Sequence, residues 1–106
     1  MQTSNFARNG KHPNAVAISQ GVRYFTGRRY KALAPPRELI DIKDEALFRK
    51  LYHEQVLAHL DPATVYRELG EKAILLCWES PGKFCHRRVV AEWLEKALNI
   101  KVDEKP

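Results

Sequence analysis

The residues best suited to chemistry lie in one short segment, where an apolar run gives way to a turn and then to a helix. Cys77 ends the apolar run that begins at Ala73, and Cys85 and His86 follow the turn. A thiol at the start of a helix and beside cations ionises more readily, because the helix dipole and the cations stabilise the thiolate. Cys85 is therefore the predicted nucleophile and His86 its acid/base partner, whereas Cys77 is expected to fill core space.

The same segment also contains a predicted binding residue for anions. Arg87 offers a guanidinium that can hold a phosphate or carboxylate through two hydrogen bonds. In open α/β sheets, ligands bind beyond the carboxyl ends of the strands, where helix N-termini favour negative charge. The segment from Cys77 to Arg88 has this position in the sequence, and Trp78 adds an aromatic ring. We therefore predict a site for a phosphate-bearing molecule at this strand-to-helix junction.

Cationic residues are concentrated in the N-terminal third of the chain. The formal net charge is +5, and the first 37 residues contain seven Lys and Arg side chains but no Asp or Glu. Within this region Arg28, Arg29 and Tyr30 combine cations with an aromatic ring, a composition that can stack a base and hold its phosphates. The pattern favours a nucleotide or nucleic acid as partner, although a solvated basic loop has the same composition.

The spacing of the cysteines and histidines does not match the usual zinc motifs. Cys77, Cys85 and His86 offer three ligands and His53 a fourth, but a Cys-x7-Cys-His order lacks the short paired spacings of structural zinc sites. We expect neither a metal nor a cofactor. Two cysteines in a chain with enough apolar residues for a core also predict free thiols rather than a disulfide framework.

Three apolar runs are predicted to be strands, and the most hydrophobic of them is the predicted centre of the sheet. The runs are Ala15 to Ser19, Lys72 to Trp78 and Ile100 to Val102. Residues 73–77 are continuously apolar, as in a parallel strand that is covered on both faces. Residues 1–14 are rich in Ser, Asn, Gly and Pro and are predicted to be a loop, and residues 20–37 a long excursion.

Helices are predicted between these strands. One lies within Asp44 to Leu60, where Leu47, Phe48, Leu51 and Tyr52 fall on the face expected to pack on the sheet. A second begins at Pro62 after an N-cap at Asp61, and a third covers Cys85 to Leu98 with its apolar residues on one face. Strands that alternate with helices favour a mostly parallel sheet with helices against its faces. Residues 1–106 are thus predicted to form one α/β domain, a small Rossmann-like three-layer fold with a short sheet.

Composition restricts the compartment and the partners. Apolar residues make up 44% of the chain and charged residues 29%, which is typical of a globular protein. No stretch approaches the roughly 18 consecutive apolar residues of a membrane span, and the first 20 residues lack the apolar run of a secretory signal. We expect a cytoplasmic protein without a membrane partner, and the sequence does not define its oligomeric state.

Three segments together resemble domain-of-unknown-function family 488. They are Ser4 to Ala7, the Gly-Arg-Arg-Tyr and Leu-Ala-Pro-Pro motifs within Tyr24 to Pro36, and Leu75 to Arg87 with its Cys-His-Arg. The resemblance spans nearly the whole chain and implies a compact α/β domain of bacteria and their viruses whose activity is uncharacterised. It also implies that seven residues lie near one another, namely Ser4, Arg28, Tyr30, Cys77, Cys85, His86 and Arg87. Ser4 and Cys77 are therefore predicted to bind the ligand together with Arg28, Arg29, Tyr30, Trp78 and Arg87.

Three functional hypotheses follow from the sequence. The first is binding of a small phosphate-bearing ligand, a nucleotide, with Arg28, Arg29 and Arg87 on its phosphates and the ring of Tyr30 or Trp78 stacked on its base. The second is a hydrolase or transferase that acts on a nucleotide or nucleoside through the predicted cysteine nucleophile. The third is a nucleic-acid binding module in which the acid-free N-terminal third follows a phosphate backbone. Whether any reaction is catalysed is left open by the sequence.

Overall fold

The fold is organised around a short sheet of parallel strands, which a computed structural model describes for residues 1–20, 25–78 and 85–106. Within these residues the sheet has five strands in the order β3-β2-β4-β1-β5, and every pair is parallel. The strands β1 to β5 are, in chain order, Gln2–Asn5, Ala15–Ala17, Arg28–Arg29, Ile74–Cys77 and Asp103–Glu104. The predicted α/β class with a short parallel sheet is confirmed.

Helices pack against both faces of the sheet. In the described part of the chain, α1 to α5 are Phe6–Asn9, Arg37–Ile40, Glu45–Gln55, Pro62–Leu69 and His86–Leu98. Two single 3₁₀ turns lie at residues 31–33 and 57–59. Both α5 and α1 contact β1 and β4, α5 from the side of the larger hydrophobic core and α1 from the side of the smaller one. None of the described helices is long and apolar enough to cross a membrane.

Side chains of β4 alternate between these two hydrophobic cores. Leu75 lies in the larger core beneath α3, α4 and α5, whereas Ile74 and Leu76 pack with Phe25 in the smaller one. All of them are buried, because successive side chains of a strand point to opposite faces and both faces are covered. Each such side chain contributes about 1.5–3 kcal/mol through burial, which explains the continuous apolar run in the sequence.

The ends of α4 and α5 follow the local signals of the sequence. The side chain of Asp61 accepts a hydrogen bond from the backbone N–H of Thr64 at 3.0 Å and so caps α4 at its N-terminus. Gly70 ends α4 with φ of 93°, a conformation that strains any residue with a Cβ. Asn99 ends α5 in the left-handed region, with φ of 54°. These two helices are therefore placed close to their predicted limits.

The loop predicted for residues 1–14 is wrong, because this segment contains β1 and α1. The segment is polar in composition although it contains a buried strand. Thr3 and Ser4 are fully buried, and both hydroxyls are hydrogen-bonded. Thr3 Oγ1 donates to Glu104 at 2.6 Å, and Ser4 Oγ donates to the carbonyl of Lys105 at 3.0 Å. A buried polar side chain with a partner is tolerated in a strand but leaves no hydrophobic pattern to detect.

Two further boundaries and the buried face of α3 differ from the prediction. The last strand lies at Asp103–Glu104 rather than at Ile100 to Val102, because Val102 fills the larger core and the next two residues pair with β1. The predicted excursion of residues 20–37 contains β3 and a 3₁₀ turn, while residues 21–24 lie outside the described part of the chain. On α3 the buried positions are Phe48 and Tyr52, and Leu47, expected on the same face, is 45% exposed.

A buried hydrogen bond of Tyr52 yields a test of this packing. Its hydroxyl donates to the carbonyl of Leu33 at 2.6 Å and so fixes α3 to the 3₁₀ turn before α2. The variant Tyr52→Phe removes this donor and should lower the free energy of unfolding by about 1–2 kcal/mol in urea titrations followed by circular dichroism. The control Tyr66→Phe, at a partly buried position of α4, should change it by less than about 0.5 kcal/mol. Equal changes in the free energy of unfolding for Tyr52→Phe and Tyr66→Phe would show that the hydrogen bond of Tyr52 does not stabilise the fold.

Candidate functional site

The end of β4 and the start of α5 bring the predicted reactive residues together. Cys77 is the last residue of β4, and Cys85 is the N-cap of α5. Both sulfurs and a ring nitrogen of His86 lie within 4.8 Å of one another, and all three residues are buried. Residues 79–84, where the sequence predicts the turn, lie outside the described residues. We refer to Cys77, Cys85 and His86 as the cysteine–histidine cluster.

The two cysteines form a disulfide that links residues eight positions apart. The prediction of two free thiols is therefore wrong for this structure. The residues around each cysteine do not indicate a pair, because the two thiols come together only where the end of β4 meets the N-cap of α5 in the fold. Their Cα atoms are 7.0 Å apart. Because reduction converts such a pair into two thiols, the cluster has an oxidised and a reduced form.

A hydrogen bond to the backbone determines the tautomer of His86. Its Nε2 lies 2.6 Å from the carbonyl oxygen of Ile18, which can only accept, so Nε2 carries the proton and donates. Burial lowers the pKa of His86 to about 4, against the opposing effect of this hydrogen bond, so the ring is neutral near pH 7. Nδ1 then presents a lone pair near Cys85 Sγ, at 3.7 Å. The predicted base is thus beside the predicted nucleophile.

Arg87 extends into the protein and contacts the cluster from inside. Its side chain is 1% exposed and forms an ion pair with Glu104, with Nη2 and Oε2 2.7 Å apart. Nη1 donates to the sulfur of Cys77 at 3.1 Å. A guanidinium in this position stabilises a thiolate when the cysteines are reduced. The structure therefore supports a role for Arg87 beside Cys77 more directly than the predicted contact with a phosphate.

The other predicted phosphate-binding residues have partners within the protein. Arg28 donates to two carbonyl oxygens at the C-terminal end of α4, at 2.9 and 3.0 Å. Arg29 donates to the carbonyl of Phe25 at 2.6 Å. Tyr30 donates its hydroxyl to the carboxylate of Glu68, and burial together with this hydrogen bond raises the pKa of Tyr30 to about 12. In this structure these side chains hold the β3 segment to α4 and to its own loop.

Ser4 occupies a buried position in the neighbouring strand. It lies beside Leu76 in the parallel register of β1 and β4. Its hydroxyl donates to a backbone carbonyl at 3.0 Å and accepts from the side chain of Asn9 at 2.7 Å. Of the seven residues that the family resemblance groups together, the structure places four in direct contact around the cluster, namely Cys77, Cys85, His86 and Arg87.

A cleft of about 570 Å³ opens beside the cysteine–histidine cluster. The described residues that line it are Ser19, Gln20, Pro35, Ile40, Ile42, Lys43, Phe48 and Trp78, together with the three residues of the cluster. Among them Lys43 is the only Lys, Arg, Asp or Glu side chain. The volume and the largely apolar lining are typical of a site for a small molecule. Arg28, Arg29 and Tyr30 are not among these lining residues.

Sequence reasoning missed three groups that shape the site. Lys43 lies in a short connection between α2 and α3, in which no motif indicates a ligand. The carbonyl of Ile18 belongs to the backbone, so the residue type at this position does not indicate its role. Glu104 is 17 positions from Arg87 in the sequence and reaches it because β5 pairs with β1. Only the topology of the sheet reveals this partner.

Fold and site together define a small α/β protein with a parallel sheet and a Cys-Cys-His cluster at the carboxyl end of its central strand. No protein-family model, curated protein or solved structure matches the chain. The resemblance to domain-of-unknown-function family 488 therefore stays a prediction based on its motifs.

The ion pair of Arg87 and Glu104 makes stability depend on pH. Burial raises the pKa of Glu104, but hydrogen bonds from Arg87 and Thr3 and the positive charges of Arg87 and Arg88 lower it more, so the net shift is downward. A carboxyl whose pKa is lower in the folded state stabilises the fold above its unfolded pKa. This contribution is lost as the pH falls through the folded-state pKa.

The variant Glu104→Gln tests this dependence. It should lower the free energy of unfolding at pH 7 by about 1–2 kcal/mol, less than for a fully buried pair because Glu104 is partly exposed. The difference from the wild type should decrease as the pH falls below the usual range of a glutamate. The control Asp103→Asn, whose ion pair with Lys101 is exposed, should change stability by less than about 0.5 kcal/mol. A difference that is constant with pH would contradict the assignment.

Proposed function

We propose that this chain binds a small anionic molecule with a planar body in the cleft, and that a phosphate-bearing nucleotide is the first ligand class to test. The observation that carries the proposal is the position of the cleft. Its lining includes Ser19, just beyond β2, Trp78, just beyond β4, and His86, at the start of α5. In parallel α/β sheets, ligands bind at this carboxyl edge, between strand ends and helix N-termini.

The charges around the cleft favour an anion. Lys43 contributes a positive charge, and no carboxylate lies among the described lining residues. The first turn of α5 contains no acidic residue, so its backbone N–H groups and helix dipole add to the positive potential. Lys43 takes the place of the arginines that the sequence predicted for contact with phosphate.

Trp78 supplies a surface for the planar part of the ligand. Its side chain is 59% exposed, although it lies beside an apolar cleft, and the ring of Phe6 packs against it at 4.5 Å between centroids. A large aromatic ring that is held in place and left exposed is suited to stacking on a base. The stacking role predicted for Trp78 is therefore part of the proposal, whereas Tyr30 is bound to Glu68 elsewhere.

The predicted hydrolase or transferase activity remains a prediction about the reduced protein. Cys85 can act as a nucleophile only as a free thiol, with Nδ1 of His86 as the proton acceptor at 3.7 Å. A cytoplasmic location, which the sequence favours, would keep both cysteines reduced.

Nucleotide titrations test the proposal. Mononucleotides and the matching nucleosides are titrated into the full chain, and quenching of tryptophan fluorescence and heats of binding are recorded. Both Lys43→Ala and Trp78→Ala should weaken mononucleotide binding by about tenfold or more, because one removes a charged contact and the other a stacked ring. The matched control Lys50→Ala, at an exposed position of α3, should leave the affinity unchanged.

Two results would contradict the proposal. One is the absence of binding by any mononucleotide or by inorganic phosphate. The other is equal affinity in the wild type and in Lys43→Ala. Binding of a single-stranded oligonucleotide that weakens steeply with salt and is insensitive to Lys43→Ala would instead favour the nucleic-acid module predicted as an alternative.

A further inference from the structure

We infer that the reduced cysteine–histidine cluster binds a divalent metal ion of the zinc class. The ligands are the sulfurs of Cys77 and Cys85 and Nδ1 of His86. This inference goes beyond the proposed binding function, because it depends only on the three side chains and not on the ligand of the cleft. The sequence predicted no metal, since the spacing of these residues matches no paired zinc motif.

The separation of Cys85 Sγ and His86 Nδ1 fits a single ion, and the sulfur of Cys77 becomes available to the same ion once the disulfide is reduced. Two thiolates and one imidazole form a donor set that zinc prefers. With Zn–S near 2.3 Å and Zn–N near 2.0–2.1 Å, a sulfur and a nitrogen on one tetrahedral ion lie roughly 3.6 Å apart. The separation of Cys85 Sγ and His86 Nδ1 is 3.7 Å, and all three donors lie within 4.8 Å of one another.

The backbone leaves room for the sulfurs to accommodate an ion. The Cα atoms of Cys77 and Cys85 are 7.0 Å apart, beyond the roughly 4.4–6.8 Å of most disulfides. With the Cα atoms this far apart, rotation of the two reduced side chains can separate the sulfurs without requiring β4 or α5 to move. The pair is therefore spaced widely enough to share an ion between its sulfurs.

Groups around the cluster already orient its ligands. Histidines that bind metals almost always donate their second ring N–H to an acceptor, and Nε2 of His86 donates to the carbonyl of Ile18 at 2.6 Å. This hydrogen bond turns Nδ1 towards the sulfurs. Arg87 donates to the sulfur of Cys77 at 3.1 Å, as expected for a partner of a ligating thiolate.

The charges of the site balance when the ion is present. Two thiolates offset the two positive charges of the ion, and Glu104 offsets Arg87 across 2.7 Å. When the ion binds, each cysteine that is still protonated loses its S–H proton to solvent and forms a sulfur–metal bond. A buried dithiolate without the ion would be unfavourable, because two like charges would lie side by side.

Three protein ligands leave one coordination position open, as in catalytic rather than structural zinc sites. Among the described residues, the cluster contains no fourth His, Cys, Asp or Glu donor. All three ligand residues line the cleft, so the open position is accessible from it. Water or an anionic group of a bound molecule can occupy this position.

Cobalt titration of the reduced, metal-free full chain under anaerobic conditions tests the inference. Binding of one Co²⁺ should produce a thiolate-to-cobalt charge-transfer band and the intense d–d bands of a tetrahedral ion, and Zn²⁺ should abolish both. The same chain oxidised to the disulfide should bind no cobalt and should regain binding after reduction. Zinc should also slow the alkylation of both cysteines by iodoacetamide, an effect that requires no variant.

Variants identify the ligands. Cys85→Ser should lose the charge-transfer intensity of one thiolate. Both Cys85→Ser and His86→Gln should weaken zinc binding by at least about 100-fold, because loss of an outer-shell partner alone costs about 10–100-fold. The matched control His53→Gln, at an exposed position of α3, should bind as the wild type does. Circular dichroism and thermal melts recorded in chelator separate the loss of a ligand from the loss of the fold.

The inference is overturned if the reduced wild type shows no cobalt bands and zinc fails to protect its thiols. It is equally overturned if Cys85→Ser binds zinc as tightly as the wild type. Zinc binding by a chain that binds no nucleotide would support the metal site while contradicting the proposed function, so the two proposals can fail separately.

Discussion

The rest of the structure depends on β4, a strand that is buried on both faces. The backbone groups of such a strand can be satisfied only by hydrogen bonds to a neighbouring strand along each edge. The side chains of β4 fill two separate hydrophobic cores, while β1 and β2 pair with its two edges. Because unpaired backbone groups in such surroundings are strongly unfavourable, the position of β4 is fixed within the fold. Cys77, the last residue of β4, is therefore fixed in position as well, and the start of α5 contacts it through Cys85.

The second constraint is the buried positive charge of Arg87, which needs a counterion inside the protein. Glu104 provides it from β5, the strand at the edge of the sheet. The guanidinium thus connects three elements: the first turn of α5, the end of β4 through Cys77, and the last strand of the sheet. The site and the sheet edge are held by the same side chain.

The sequence predicted most elements whose signals are local. The apolar run of β4, the cap of α4 at Asp61 and the apolar face of α5 each depend on neighbouring residues, and these elements were placed within a few residues of their limits. The meeting of Cys77, Cys85 and His86 follows from the strand-to-helix order and was partly foreseen. By contrast, β1 was missed because its buried side chains are polar.

Contacts between distant segments could not be predicted in the same way. Glu104 reaches Arg87 only through the pairing of β5 with β1, and Ile18 contributes a carbonyl whose position depends on the end of β2. The predicted phosphate contacts of Arg28 and Arg29 depended on composition, which does not reveal whether a guanidinium already has a partner. In this structure both have carbonyl partners.

The place of β1 in the sheet has a consequence for the folding of the protein. Residues 2–5 pair with residues 74–77 and 103–104, two segments that lie far along the chain from them. Until the segment that contains Glu104 and Lys105 docks beside β1, the buried hydroxyls of Thr3 and Ser4 lack the acceptors that they have in the native state. Sheets whose strands are far apart in sequence form slowly, because the chain loses conformational entropy in bringing the strands together before their contacts stabilise the sheet. We therefore expect closure of this sheet to be a late step in the folding of the domain.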